Sequence, residues 1–205
     1  MGKSSKSSQP RYDVEGRYVA LLESGEAWFS KGYDNAKPQL IAKTAGVSVG
    51  LFYRHFDNKQ ELLTAIMANH LAILHSQIIE EVKKIPHPFE TLQAVLVLTL
   101  RYFQSHQGLI KLFFMQIGYG DEVATEQLRD ARQTYRNILE AILEDGIAQG
   151  LFLPPNILDT QIAVNSIIGT INWTIYDLLI VKNQSLEPDE LGKKLSDHFL
   201  RSLTK

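Results

Sequence analysis

The sequence reads as an all-α protein. Apolar residues recur at helical spacing through almost the whole chain, no segment alternates convincingly with period two, and the periodic stretches are broken at glycine and proline.

Residues Met1 to Pro10 are rich in Ser and Lys with no apolar stretch, and read as a flexible tail rather than a signal or anchor. Lys6 stands where a myristoylation motif needs Ser or Thr. A first helix is expected from about Val14 to Ser30, closed by Lys31-Gly32. Pro38 suits the first turn of a short second helix carrying Leu40, Ile41, Ala42 and Ala45, and Gly46-Val47-Ser48 interrupts it. Ser48 is a good N-cap for a third helix, Val49 to Phe56, and Asn58 with Glu61 forms a capping-box-like start for a long fourth helix to about Lys84. Pro86 and Pro88 end it. Further helices are expected over Phe89 to Ser105, Leu109 to Ile117, Asp121 to Gln149, Ile157 to Lys182 and Pro188 to Leu203.

Composition narrows the function classes. The chain has 205 residues, 44% of them hydrophobic, so a sizeable core can form, and it has no cysteine, which excludes disulfides, thiolate metal sites and cysteine nucleophiles. Apolar runs such as Ala94 to Leu100 fall far short of the ~20 residues that span a bilayer, so a cytoplasmic protein without membrane partners is expected. There is no His-Glu-x-x-His, no Gly-rich phosphate loop and no Gly-x-Ser-x-Gly elbow. His70 and His75 are five apart, about 140° round a helix, and do not converge on a metal by that spacing. No enzyme, metal or cofactor is expected.

Charge is unevenly spread. The net charge of −2 argues against bulk coating of nucleic acid, yet residues 1–70 carry nine Lys/Arg against seven Asp/Glu and the rest carry twelve against sixteen. Between Lys37 and Lys59 four basic residues, Lys37, Lys43, Arg54 and Lys59, face the single acid Asp57. A compact basic site on an acidic body suits a reader of specific DNA.

A helix-turn-helix needs a short helix, a tight turn and a second helix whose exposed face can enter the major groove. Pro38 to Phe56 supplies these parts: Ala42 and Ala45 permit close packing, Gly46 can take φ > 0, Val47 can plug the core, and Phe52 and Phe56 share one face. Val49, Gly50, Tyr53 and Arg54 are left to face outward.

Ile41-Ala42, Ala45-Gly46-Val47-Ser48, Gly50, Phe52-Tyr53, His55-Phe56, Asn58-Lys59 and Leu62 together resemble the signature of the TetR family of bacterial repressors, over about Tyr18 to Leu63. The resemblance implies a homodimer in which residues 11–58 form a three-helix DNA-binding domain, joined by the long fourth helix to residues 59–205, which bind a small-molecule effector and dimerise. It implies phosphate contacts from Ser48, Tyr53, His55 and Lys59, and base-facing positions at Val49, Gly50, Leu51 and Arg54 of a recognition helix on double-stranded operator DNA. Three positions depart from the pattern. Ala36 replaces a usual capping Thr, so that Lys37 is expected to take over a phosphate contact; Leu40 replaces a frequent acid; and Val49 replaces a longer polar residue, which suits contact with a thymine methyl.

The helix from Ile157 to Lys182 is apolar nearly all round, implying burial on more than one side. Its stripe Ile162, Ser166, Gly169, Trp173, Tyr176 and Ile180 contains small residues that allow another helix to approach, and the resemblance gives this helix and the last one to a dimer interface. Its other side is free to line a pocket. Candidate effector contacts are Phe103, Phe113, Phe114, Met115, Tyr119, Asn172, Trp173 and Tyr176, each of which also reads as plain core. They favour a lipophilic or aromatic effector, and the stretch from Arg132 to Gly150 resembles family members that sense acyl-CoA or govern drug export. The competing readings are an interaction module that keeps the fold without binding DNA, and, less consistent with the motifs, an enzyme.

Overall fold

The computed structural model describes residues 14–116 and 126–204. The expected tail (residues 1–10), Tyr119, and the expected helix ends at Ile117 and Asp121 lie outside the described residues. Among those described there are nine α-helices and no strand: α1 Val14–Phe29, α2 Pro38–Thr44, α3 Val49–His55, α4 Lys59–Val82, α5 Pro88–Ser105, α6 Gln107–Gln116, α7 Glu126–Ala148, α8 Thr160–Tyr176 and α9 Pro188–Leu203. The protein is all-α. It divides into two compact units after Leu62, so that α4 starts in the first and has all but its opening turn in the second.

Local chemistry sets the boundaries of the first unit. The chain leaves α1 through Gly32, at φ 110, and a 3-10 turn over Tyr33–Asn35. Helix α2 starts on Pro38 with Lys37 as N-cap and no side-chain cap bond, while Ala36 is fully buried. It ends in a glycine C-cap: Gly46, at φ 69, and Val47 donate their N–H groups to the carbonyls of Lys43 (3.2 Å) and Ala42 (3.0 Å). Ser48 Oγ then accepts from Leu51 N at 3.2 Å and opens α3. Asn58 Oδ1 accepts from Gln60 N and Glu61 N, both at 2.9 Å, and Glu61 reaches back to accept from Asp57 N, one residue earlier than the standard box. Leu21, Ile41, Phe52 and Phe56 form the core, and buried Ser24 ties α1 to α2 by donating to Ile41 O at 2.8 Å.

In the second unit α5 and α9 pack closely enough that a Cβ on Gly192 would stand 2.5 Å from Val97 Cγ2. Helix α7 leaves through another glycine C-cap, Gly150 at φ 70, which folds buried Phe152 back over Gly146 and against Phe89.

Helix α8 is shorter than its apolar run. Asp159 caps it by accepting from Ile162 N at 2.9 Å, which leaves Ile157 and Leu158 outside, and its C-terminus widens into a π turn over Asp177–Val181 before Asn183 at φ 50. Nor does its own chain bury it on more than one side. Ile162 and Trp173 are 64% and 62% exposed, and Ser166 and Gly169 between them are exposed too.

Candidate nucleic-acid interface and effector cavity

In the first unit α3 presents two contrasting faces. Phe52 is fully buried and Phe56 nearly so, which leaves Tyr53 (49% exposed), Arg54, Gly50 and Ser48 in solvent and Val49 and Leu51 half-buried. Lys37 and Lys43 are exposed on the cap and body of α2. His55 is less available, since its ring is half-buried with an edge contact to Tyr18 at 5.6 Å. Lys59 is held in place: Nζ donates to Tyr33 O at 2.8 Å, lies 3.9 Å from the centre of the Tyr33 ring and is 4.0 Å from Asp34. Burial and the Asp34 charge push the Tyr33 hydroxyl pKa up, so the ring stays a neutral phenol under that ammonium. Tyr33 as an organiser of Lys59 has no sequence signal, because the two lie on separate elements with no shared periodicity.

In the second unit helices α4 to α8 enclose a cavity of about 450 Å³, within the range of small-molecule sites. Much of its wall is apolar, including Met67, Leu74, Ile110 and Ile171, together with four of the residues expected there: Phe103, Phe113, Phe114 and Asn172. Met115, Trp173 and Tyr176 do not line it. Met115 is 69% exposed, and each residue of an α-helix lies about 100° round from its neighbour, which turns Met115 away from Phe114 and Trp173 away from Asn172. Tyr176 stacks on Trp173 at 5.5 Å instead, with Phe114 edge-on to it.

The cationic part of the wall was not among the expected residues. Arg129, Arg132 and Arg136 of α7 line the cavity at spacings of three and four, hence on one face, and no Asp or Glu is among the described lining residues. Arg136 also donates to Asn165 Oδ1 of α8 at 2.8 Å. The Thr99 hydroxyl donates to Val95 O at 2.8 Å, so the Tyr135 hydroxyl, 3.0 Å away, is the donor to Thr99. Burial pushes the Tyr135 pKa up to about 12. His75, almost fully buried on α4, stacks on Tyr135 at 5.7 Å, and desolvation pulls its pKa down to about 4. The arginine spacing was visible in the sequence but carried no weight without knowing which face of α7 turns inward.

Residues 21–66 match the family described as bacterial regulatory proteins, tetR family, and residues 86–176 match the tetracyclin repressor-like C-terminal domain. The chain belongs to the TetR family. It is thus a DNA-binding, ligand-responsive transcriptional regulator and not an enzyme. Among TetR-family relatives, it is 25% identical to the fatty acid metabolism regulator protein of Bacillus subtilis (strain 168), over 83% of this chain and 92% of that one. It is 27% identical to the probable acrEF/envCD operon repressor of Escherichia coli (strain K12), over 77% of this chain and 78% of that one. In structure it is similar to the transcriptional regulator FadR from Bacillus subtilis, solved in complex with stearoyl-CoA, at a TM-score of 0.76 and 21% identity over 91% of this chain and 99% of that one. That last likeness carries the TetR fold alone.

Proposed function

We propose that this TetR-family chain is a homodimeric repressor of a palindromic operator, released from DNA by an anionic amphiphile of the long-chain acyl-CoA class. The carrying observation is the cavity, whose lining combines an apolar wall with a stripe of three arginines on one face of α7. A purely aromatic or hydrocarbon effector would make no use of the arginine stripe, whereas an acyl thioester supplies both an apolar chain and a phosphate-bearing head for it. The B. subtilis relatives, one named for fatty acid metabolism and one bound to stearoyl-CoA, support the same reading.

The domain assignment follows the same logic: residues 11–58 bind DNA, residues 59–205 bind effector and dimerise, and α4 links them. On DNA, α3 lies in the major groove with Val49, Gly50, Leu51 and Arg54 toward base edges. Ser48, Tyr53, Lys59 and Lys37 lie toward phosphates, with Lys43 adding positive charge and His55 a secondary contact. The exposed stripe Ile162, Ser166, Gly169 and Trp173 of α8 is apolar or small and has open space above Gly169, which suits a helix from a second copy. The same stripe bears on membranes. By length and composition Lys59–Val82 and Thr160–Val181 are apolar enough to cross a bilayer, contrary to the expectation from apolar runs. The first is mostly buried within the protein, and a dimer would cover the second, which fits a cytoplasmic regulator without a membrane span.

Titration of a saturated acyl-CoA series against the protein on operator DNA selected from random duplexes tests the reading. Release with a chain-length optimum, abolished by Arg132→Ala combined with Arg136→Ala, is expected. Release by neutral aromatic compounds with no response to acyl-CoA would contradict it.

A further inference from the structure

One polar atom of a residue that lines the cavity has no partner among the described residues. His75 is 3% exposed, lines the cavity, and its Nε2 is a buried side-chain nitrogen that makes no hydrogen bond. Leaving such an atom unpaired is costly, and a ligand that supplies a partner recovers that cost on binding. The surroundings narrow what the partner can be. The ring is pinned flat against Tyr135 (interplanar angle 21°), and the Tyr135 hydroxyl is committed to Thr99. Neither neighbour offers Nε2 a bond within the protein. Met67, Leu71, Leu74 and Phe103 line the same cavity, so a bare ionic group beside this apolar lining would be poorly solvated. Yet Tyr135 lies three residues from Arg132 on the cavity face of α7, about one helical turn from the cationic stripe. His75 therefore sits where an apolar chain would give way to a polar head.

We infer that His75 is a specificity contact, donating from Nε2 to an uncharged carbonyl oxygen at the junction of the effector's chain and head, which in an acyl-CoA is the thioester oxygen. The inference rests on the acyl-CoA reading and deepens it: the site distinguishes thioesters from equally lipophilic, equally charged molecules that lack the carbonyl. No other reactive group is needed, since the step is binding alone. A neutral imidazole suits the role, because an imidazolium would require a counter-anion in the apolar part of the wall.

The test uses the full chain and two probes of equal chain length, palmitoyl-CoA and its S-hexadecyl thioether, which keeps chain, charge and head and lacks only the carbonyl oxygen. Calorimetry on the unaltered protein should show the thioether binding roughly ten-fold more weakly, the loss expected for one unmade hydrogen bond to a buried group. His75→Phe, which keeps an aromatic ring for Tyr135, should bind both probes equally, at the thioether level. His75→Gln, which restores a donor, should recover part of the preference. A direct readout needs no variant: the ¹⁵N resonance of His75 Nε2 should shift with palmitoyl-CoA and stay put with the thioether. Equal affinity of the unaltered protein for both probes, or a preference that survives in His75→Phe, would overturn the inference while leaving acyl-CoA as the effector. If palmitoyl-CoA itself fails to bind, the acyl-CoA reading falls and the inference with it.

Discussion

The two units place their candidate contacts at very different distances along the chain. In the first, the candidate polar groups from Lys37 to Lys59, some exposed and some half-buried, belong to two short helices, their caps and the opening residue of α4. In the second, the cavity draws on α4 to α8, from Met67 to Asn172. The contrast is sharpest because both units use the same punctuation. Gly46 and Gly150 close their helices with the same pair of bonds, Gly46 and Val47 onto Lys43 and Ala42, and Gly150 and Leu151 onto Ile147 and Gly146. In the first unit that motif by itself sets the turn between α2 and α3. In the second it folds the ring of Phe152, two residues on, over Gly146 and against Phe89 of α5, and that tertiary contact gives the motif its consequence. A binding surface built from neighbours can be specified by caps and turns, whereas one built from five helices depends on which faces turn inward.

The largest expected effect probes that difference. Gly146 has no room for a side chain: a Cβ there would stand 2.0 Å from Phe152 Cδ2, and the ring is buried. Gly146→Ala should destabilise the protein by about 3 kcal/mol, the upper part of the overpacking range, as measured by urea denaturation. Gly146→Ala paired with Phe152→Leu should recover part of that loss. If the single substitution is neutral, the packing of Phe152 over α7 is wrong.

The next prediction uses the buried imidazole. The folded protein keeps His75 neutral down to about pH 4, whereas an unfolded chain protonates histidine near 6.5. Between those values the unfolded state binds the extra proton, so stability is complete above pH 6.5 and drains as pH falls toward 4. The interval is worth about 3 kcal/mol from this group. Unfolding free energies for the unaltered protein and for His75→Gln should converge or cross across that window; parallel curves would show that His75 titrates normally in the folded state.

How far the sequence could be read follows from the same contrast. The helices, their caps at Ser48 and Asn58, the turn at Gly46 and the inward pair Phe52 and Phe56 all depend on residues within a few positions of one another, and local pattern sufficed for them. Helix ends set by a competing cap, such as Asp159 cutting short the apolar run before α8, were less legible because apolar periodicity continues past them. In the cavity, Phe103, Phe113, Phe114 and Asn172 were chosen by residue type, and so were Met115 and Trp173, which point elsewhere. Residue type names what a pocket is made of; helix phase decides which residues reach it. The arginine stripe and His75 were missed for the same reason, since a polar residue on an amphipathic helix reads as solvated until its face is known.

A smaller effect asks whether the shared motif is energetically equivalent in both units. Gly46 and Gly150 have positive φ, and a Cβ at either would meet nothing within 4 Å, so backbone strain is the whole penalty. Gly46→Ala and Gly150→Ala should each cost about 1 to 2 kcal/mol in urea denaturation, and the two should agree within error. A much larger loss at Gly150 would mean that its turn carries tertiary strain absent at Gly46.

The smallest change in stability, and the one that separates structure from recognition, is at Lys59. Its ammonium already has partners inside the first unit, the Tyr33 carbonyl and ring, with Asp34 beyond. Those contacts are part-exposed, so Lys59→Ala should cost the free protein only about 0.5 kcal/mol. An ammonium held by one carbonyl and a ring face retains hydrogens to donate, and the Tyr33 contacts fix where they point. If a phosphate is there, the alanine variant should bind specific and random duplexes more weakly by a similar factor, and the slope of log affinity against log salt should fall by about one. Lys59→Arg, which keeps the charge, should preserve most of that slope. An unchanged slope in Lys59→Ala would assign this lysine to holding Tyr33 and the start of α4, and would leave Lys37, Lys43 and Arg54 as the cations that meet DNA.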